Sequence, residues 1–257
     1  MATALITGGT SGIGLAFATE LAADGFDLVL VARDAGRLAG VRERLQNRFG
    51  VEVETLVADL GVRADLDPVI GRLTDPERPV QVLVNDAGFG LNASLLAPET
   101  APQERAMAVM ATAVLILAGA AARAMVARGS GTIVNVASVS AWIIKGNYSA
   151  IKRWVITYTQ ALDLELAGTG VQATAVCPGW VKTEFHARAG VARPRLPEWV
   201  WVSPRAVARA ALRDAGRGRV VSVPTRRWRL AVWVLAHAPA ALPRYISSRI
   251  SRSRSKS

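Results

Sequence analysis

Cysteine and histidine are nearly missing from the chain: Cys177, His186 and His237 are all that stand among 257 residues. A lone thiol forms no internal disulfide, which excludes a disulfide-stapled secreted scaffold and suits a reducing compartment. A structural zinc site takes about four Cys or His ligands. Three, scattered and without ligand spacing, exclude it, and no metal is expected. Acidic side chains are missing from 215–257, which holds ten Arg or Lys; the other 21 basic and 20 acidic residues nearly balance over 1–214. The net charge of +11 therefore belongs to one end, and no nucleic-acid partner is expected. Long apolar runs are also lacking. None is expected to reach the roughly 18 residues of a membrane span, and the stretch 230–242 is interrupted by His237 and Pro239. The stretch 1–9 has no basic leader region, so no secretory signal is expected and a cytoplasmic location follows. What is abundant is apolar sequence, 51% of all residues, enough to bury a sizeable core in one large domain.

Apolar, β-favouring runs at 4–7, 28–32, 53–58, 80–85, 132–137, 172–177 and 219–223 alternate with helical patterns at 13–23, 35–48, 64–73, 102–127, 148–167 and 204–214. Several runs are continuously apolar, as in a parallel sheet covered by helices on both faces. This alternation predicts an α/β fold: one Rossmann-type, doubly wound parallel sheet of about seven strands joined by right-handed crossovers. Such sheets bind ligands beyond the carboxyl ends of their strands, and chemistry is sought there.

The first strand ends in Thr7-Gly8-Gly9-Thr10-Ser11-Gly12-Ile13-Gly14, and a helical pattern follows. Glycines let the backbone approach a pyrophosphate, and a helix N-terminus offers N–H groups and a positive dipole end. Taken alone, the same spacing is also that of a tight turn with no ligand. Far downstream, Tyr148 and Lys152 stand four apart and share a helix face. A free Tyr has a pKa of about 10, too high for acid–base work at neutrality. A neighbouring ammonium favours the phenolate and brings it closer. Taken alone, this pair is also a core Tyr and a solvated Lys.

The glycine turn and the Tyr148-Ser149-Ala150-Ile151-Lys152 stretch, in this order, resemble the short-chain dehydrogenase/reductase family, from the first strand to about Phe185. The resemblance implies a nicotinamide-dependent oxidoreductase that interconverts a carbonyl and an alcohol. It implies cofactor contacts at Gly8, Thr10, Ser11, Gly12, Ile13 and Gly14, at Asp59 and Leu60 for the adenine, and at Asn85, Ala87 and Gly88. It also implies contacts at Pro178, Gly179, Val181 and Thr183 for the carboxamide, and at Tyr148 and Lys152 for the ribose. Ser138 matches the family's catalytic serine, with Ser140 as an alternative. In this scheme Ser138 binds the substrate oxygen, Tyr148 exchanges a proton with it, and Lys152 lowers the phenol's pKa. The second strand ends at Ala32-Arg33, where an NAD-selective site would place a carboxylate. An Arg offers a fork of donors for a 2′-phosphate, so NADP(H) is the expected cofactor, with NAD(H) left open. Arg33 as a solvated residue at a helix start, and Asp59 as a helix cap, are the plainer alternatives.

Three positions depart from the family pattern. Asp86 stands where Asn is usual. Met110 falls at the position of a supporting helix Asn and reads as core filler, with Thr112 the nearest polar substitute. Tyr148 follows Ser138 by only ten positions, across a shortened loop containing Trp142, Ile143 and Ile144. These departures motivate a second reading, a nucleotide-binding protein with little turnover. A third is an epimerase or dehydratase on the same scaffold. Cys177 reads as a small buried residue. Pro194, Pro197, Trp199 and Trp201 fall in an irregular stretch that the resemblance makes a substrate lid, about 183–202, and its aromatics suggest a lipophilic carbonyl or alcohol. The organisation expected is a catalytic domain over 1–224, an apolar and basic extension over 225–250, and a disordered basic tail over 251–257. The extension reads as a helix beside the pocket, a dimer contact, or an interfacial segment giving peripheral membrane contact. Family members are often homo-oligomers, and the helices at 102–127 and 148–167 offer the faces.

Overall fold

The computed structural model describes residues 2–91, 93–183 and 197–239. Five-residue apolar strand β1 (Thr3–Thr7) leads through the glycine turn into α1 (Gly12–Ala23). The alternation continues with β2 (Asp27–Ala32), α2 (Ala35–Phe49), β3 (Val53–Val57), α3 (Leu66–Thr74) and β4 (Val80–Asn85). Then come α4 (Ala101–Met107), a π-helical turn (Ala108–Thr112), α5 (Ala113–Arg128), β5 (Gly131–Val136), a 3-10 turn (Val139–Trp142) and α6 (Gly146–Glu165). After β6 (Val171–Val176) and a 3-10 turn (Glu198–Val200) follow α7 (Pro204–Ala215), β7 (Val221–Ser222) and α8 (Arg226–His237).

All strand pairings are parallel, in the order β3-β2-β1-β4-β5-β6-β7. The order reverses direction between β1 and β4, which opens a crevice at the carboxyl ends of those two strands. Side chains alternate across the sheet. Ala4, Ile6, Leu28 and Leu30 meet α1, α2 and α7 on one face, while Leu5, Val29, Leu83 and Ile133 meet α3 and α5 on the other. Among charged groups, Glu20 on α1 is buried and accepts from Arg205 at 2.6 Å and from Arg209, both on α7. Burial pushes its carboxyl up, but the two guanidinium groups outweigh this and hold it below its ordinary value.

Two sequence expectations need correction. The helical run Ala101–Arg128 is long and apolar enough to cross a membrane, although no such run was expected. Its most apolar stretch is 61% buried, because Leu117, Ala121 and Met125 cover the sheet, so a core helix accounts for it. The last strand has only two residues, Val221–Ser222, where 219–223 was expected; its register on β6 stops at Ser222. Most of the expected lid, with His186 and Pro194, and the basic tail lie outside the described residues.

Candidate active site

At the crevice, Thr7 closes β1 and its Oγ1 accepts the N–H groups of Asp86 and Ala87, each at 3.1 Å. This ties the end of β4 to the glycine turn. Gly8 has φ +72°, and a Cβ there would lie 3.1 Å from the Ala87 nitrogen. At Gly14 a Cβ would lie 2.4 Å from the Gly8 carbonyl oxygen. Both positions therefore need glycine for the strand, turn and helix to meet. Gly12, at φ +57°, faces Thr183, whose Cγ2 would lie 3.3 Å from a Cβ there. The turn and the Pro178–Gly179–Val181–Thr183 run thus approach each other across the crevice, as two walls would. Thr10, Ser11 and Ile13 lie at its helix side, where α1 starts with an extended Ser11 and no acidic side chain in its first turn. That start suits an anion.

Asp86 takes part in this turn. Its carboxylate accepts the Gly14 N–H, a role an Asn side-chain oxygen could also fill. Burial pushes the Asp86 carboxyl up to about 8, against the attraction of the Lys152 ammonium and the Gly14 hydrogen bond.

The neighbouring strand ends carry charge. Arg33, one residue beyond β2, is exposed. Asp59, beyond β3, has both carboxylate oxygens 2.5 Å from Nη2 of Arg105 on α4, and its Oδ1 accepts the Gly61 N–H at 2.9 Å. Burial pushes the Asp59 carboxyl up, but Arg105, the Gly61 amide and the nearby Arg33 outweigh it, so the acid is held below its ordinary range. The Asp59 carboxylate is thus already engaged by an arginine, a partner not foreseen from sequence. Leu60 is a buried core residue, which leaves its backbone for any ligand contact.

Beyond β5, Ser138 and Tyr148 come together. The Ser138 hydroxyl accepts the Ser140 N–H at 3.1 Å and is hydrogen-bonded to the Tyr148 phenol. The Ser140 Oγ is buried with no hydrogen-bond partner among the described residues, whereas Ser138 is bonded to the phenol. Lys152 is buried one helical turn away, with Nζ 5.8 Å from the centroid of the Tyr148 ring. It donates to the Val136 carbonyl at 2.8 Å. Burial draws Lys152 down to about 8, with Asp86 and Cys177 pulling the other way. The phenol moves opposite to the sequence expectation: burial and the Asp86 charge push Tyr148 above its ordinary value, and the Ser138 hydrogen bond only offsets part of this. Cys177 is fully buried, and burial pushes its thiol up to about 12, which makes it inert.

Core packing fills the position where the family pattern has a helix Asn. Met110 is 1% exposed in the π-helical turn and packs with Ile151 and Tyr148. Its Sδ lies 3.1 Å from where a Gly88 Cβ would sit, so Gly88 makes room for the thioether. Thr112 is exposed and does not stand in for the missing Asn. A separate buried chain runs from Asn85 Nδ2 to Asn135 Oδ1 (2.9 Å), from Asn135 Nδ2 to Thr159 Oγ1 (3.0 Å), and on to the Val155 carbonyl (2.7 Å). It fixes β4, β5 and α6 against one another. The signal in the sequence was two strand-end asparagines, which the sheet sets in register. Trp228 on α8 was also missed. A Cβ on Gly179 would lie 2.1 Å from its indole, so the glycine is there for the ring. A cleft of about 270 Å³ lies between the loop of Ala141, Trp142, Ile143 and Ile144, Arg153 of α6, and Leu235 and Ala236 of α8.

Residues 2–193 match the family described as short chain dehydrogenase. The chain is 36% identical over 212 residues to a galactitol 2-dehydrogenase (L-tagatose-forming) of Cereibacter sphaeroides, covering 79% of this chain and 80% of that one. Among solved structures it is similar to a short-chain dehydrogenase from Sphingobium yanoikuyae in complex with NADPH. That match has 35% identity and a TM-score of 0.83, and covers 94% of this chain and 98% of the other. It is also similar to the bulky-bulky ketone specific alcohol dehydrogenase from Comamonas testosteroni, with 30% identity, a TM-score of 0.78, and 94% and 96% coverage.

Proposed function

The chain belongs to the short-chain dehydrogenase family, and on that premise we propose that it interconverts a lipophilic carbonyl and its alcohol with NADP(H), using Tyr148 as the general acid and base. The observation that carries this is the Ser138–Tyr148 hydrogen bond with the Lys152 ammonium over the same ring. The crevice suits a dinucleotide: Gly8 and Gly14 let the turn lie close against β4 and α1, and the first turn of α1 has no acid to repel a pyrophosphate. Gly12, Thr183 and the backbone of Gly179 would hold the nicotinamide half, and Arg33 the 2′-phosphate. When bound, the cofactor supplies or accepts the hydride.

In reduction, Ser138 orients the substrate oxygen and Tyr148 gives it a proton as the carbonyl carbon gains the hydride; in oxidation the same proton returns. An ordinary phenol is already protonated at neutral pH, as reduction requires; the rise that burial gives Tyr148 works against proton release, and the Ser138 hydrogen bond offsets part of it. Lys152 is held by Val136 near the ring, where its charge favours the phenolate that forms. Preference for NADP(H) rests on exposed Arg33 and on Arg105, which neutralises the Asp59 carboxylate at the neighbouring strand end. A lipophilic substrate is supported by Trp142, Ile143 and Ile144, which follow the Ser138 turn in the chain and line a cleft together with Arg153. Homo-oligomer formation is the same kind of proposal, supported by exposed Leu115 on α5 and Leu164 on α6. So are a cytoplasmic location and peripheral membrane contact.

Rates with NADPH and NADH on a panel of lipophilic ketones, with product analysis, test the assignment. One NADPH consumed per alcohol formed supports it. Isomeric or dehydrated products with no net cofactor change place the protein among epimerases or dehydratases. Binding of NADPH without turnover leaves the nucleotide-binding reading, which Met110 and the short loop motivate.

A further inference from the structure

The outward face of α8 carries an apolar ridge among the described residues. Trp228, Ala231, Val232 and Leu235 turn inward and are half-buried. On the opposite side Leu230, Trp233 and Val234 are 63%, 60% and 39% exposed. Their i, i+3, i+4 spacing makes one continuous strip. Arg226 and Arg229 are exposed on the same side, because each lies four residues before Leu230 or Trp233. His237 extends the strip, its ring 5.0 Å from that of Trp233. Arg227 is different: it donates to the Trp201 carbonyl at 2.9 Å and anchors the helix to the body.

Helix stability does not account for these arginines. They stand in the first turn, where the dipole is positive and cations are disfavoured, and that turn has no acidic residue. Nor does 215–257 contain any Asp or Glu to pair with them. The face therefore offers positive charge and a Trp-Leu-Val strip together, to something outside α8.

We propose that α8 docks on an anionic lipid surface, with Leu230, Trp233 and Val234 in the acyl–headgroup boundary and Arg226 and Arg229 on the phosphates. Charge complementarity selects this occupant. A second copy of the same face offers the arginines no acidic residue to pair with. The chain's own 240–257 adds Arg244, Arg249, Arg252, Arg254 and Lys256 and no acid, so it would meet like charge. A nucleic acid would satisfy the arginines but leave the strip in water. The inner face of α8 borders the cleft beside Trp142 and Ile143. The docking does not depend on the catalytic reading above.

The experiment uses the full chain with phosphatidylcholine vesicles, with and without phosphatidylglycerol, in a flotation assay at low and high salt. The protein is expected to float with the phosphatidylglycerol vesicles only, and high salt should weaken this. Leu230→Glu with Trp233→Glu should weaken binding by at least roughly tenfold, and Arg226→Gln with Arg229→Gln by roughly as much. NADPH binding and the melting temperature serve as folding controls and should be unchanged. As a second readout, brominated lipid should quench wild-type tryptophan fluorescence, and Trp233→Phe should remove that component. Wild type that stays with the soluble fraction overturns the proposal. So does a Leu230/Trp233 variant that floats as well as wild type, which would assign binding to the basic residues alone. A variant that merely turns a dimer into a monomer in sedimentation assigns the strip to a second copy and likewise overturns it.

Discussion

Arg105 reaches back across 46 residues of sequence to place Nη2 2.5 Å from both oxygens of Asp59. Asp59 lies near Arg33, whose charge also acts on it. The ion pair therefore removes a bare negative charge from the edge where Arg33 would receive a 2′-phosphate. Both partners are partly exposed, so solvent screens the pair and its worth to stability is small. Its effect on an incoming phosphate is larger. Arg105→Gln should weaken NADPH binding by about 5- to 10-fold, the scale of one charge at partly screened distance, and NADH binding much less. Fluorescence titration with both nucleotides checks this. Equal losses for the two would mean that Arg105 supports the loop and not the selectivity.

Asp86→Asn separates charge from shape, because the amide oxygen can still accept the Gly14 N–H. Asp86 is one of the acidic influences that hold the Lys152 ammonium protonated. Without it Lys152 loses its proton at lower pH, so the alkaline limb of the pH–rate profile should move toward acid. An unmoved limb would show that Lys152 does not govern it.

The same substitution has a signature in stability. The folded-state pKa of Asp86 is raised from 3.8 to about 8, so the protonated carboxyl stabilises the fold fully below the unfolded value. That contribution is lost as pH rises through about 8. Asp86→Asn keeps a neutral group at every pH. Its melting temperature should match wild type near the unfolded pKa and exceed it by about 2–4 °C or more on the alkaline side. Melting curves across this range check the sign, and a variant less stable at high pH would reverse it.

Much of this was legible in the sequence because it is local. Runs such as 28–32 and 80–85 are apolar without interruption, and only a strand buried on both faces makes use of that. The glycine turn was legible because Gly8 and Gly14 answer a steric demand that no other residue meets. What could not be read is what depends on distant partners. Nothing near Arg105 announces Asp59, and nothing near Gly179 announces Trp228. The π-helical turn has no local signature either: Ala108 to Thr112 reads as ordinary helix, yet there Met110 turns inward onto Gly88 and Thr112 outward. The direction of the Tyr148 shift was misread because spacing reports that a lysine is near, whereas burial decides which way the phenol moves.

The Trp228–Gly179 contact predicts a cost that spacing alone would not. Gly179→Ala would place a methyl 2.1 Å from the indole. The ring or the loop must move, at about 1–3 kcal/mol. Gly179→Ala with Trp228→Leu should recover most of the loss, because the smaller side chain vacates that space. Denaturant melts of the two single variants and the double variant measure the coupling. Strict additivity would show that the two residues do not touch.

The most direct test of the account is a single-turnover reduction with NADPH prebound, comparing wild type with Tyr148→Phe. The substitution keeps the ring that packs beside Met110 and Ile151 and removes only the oxygen bonded to Ser138. NADPH affinity should stay within about twofold, while the hydride-transfer rate falls by about 10²- to 10⁴-fold, the usual contribution of a positioned acid. A variant that binds NADPH and reduces the ketone at the wild-type rate would contradict the role assigned to Tyr148.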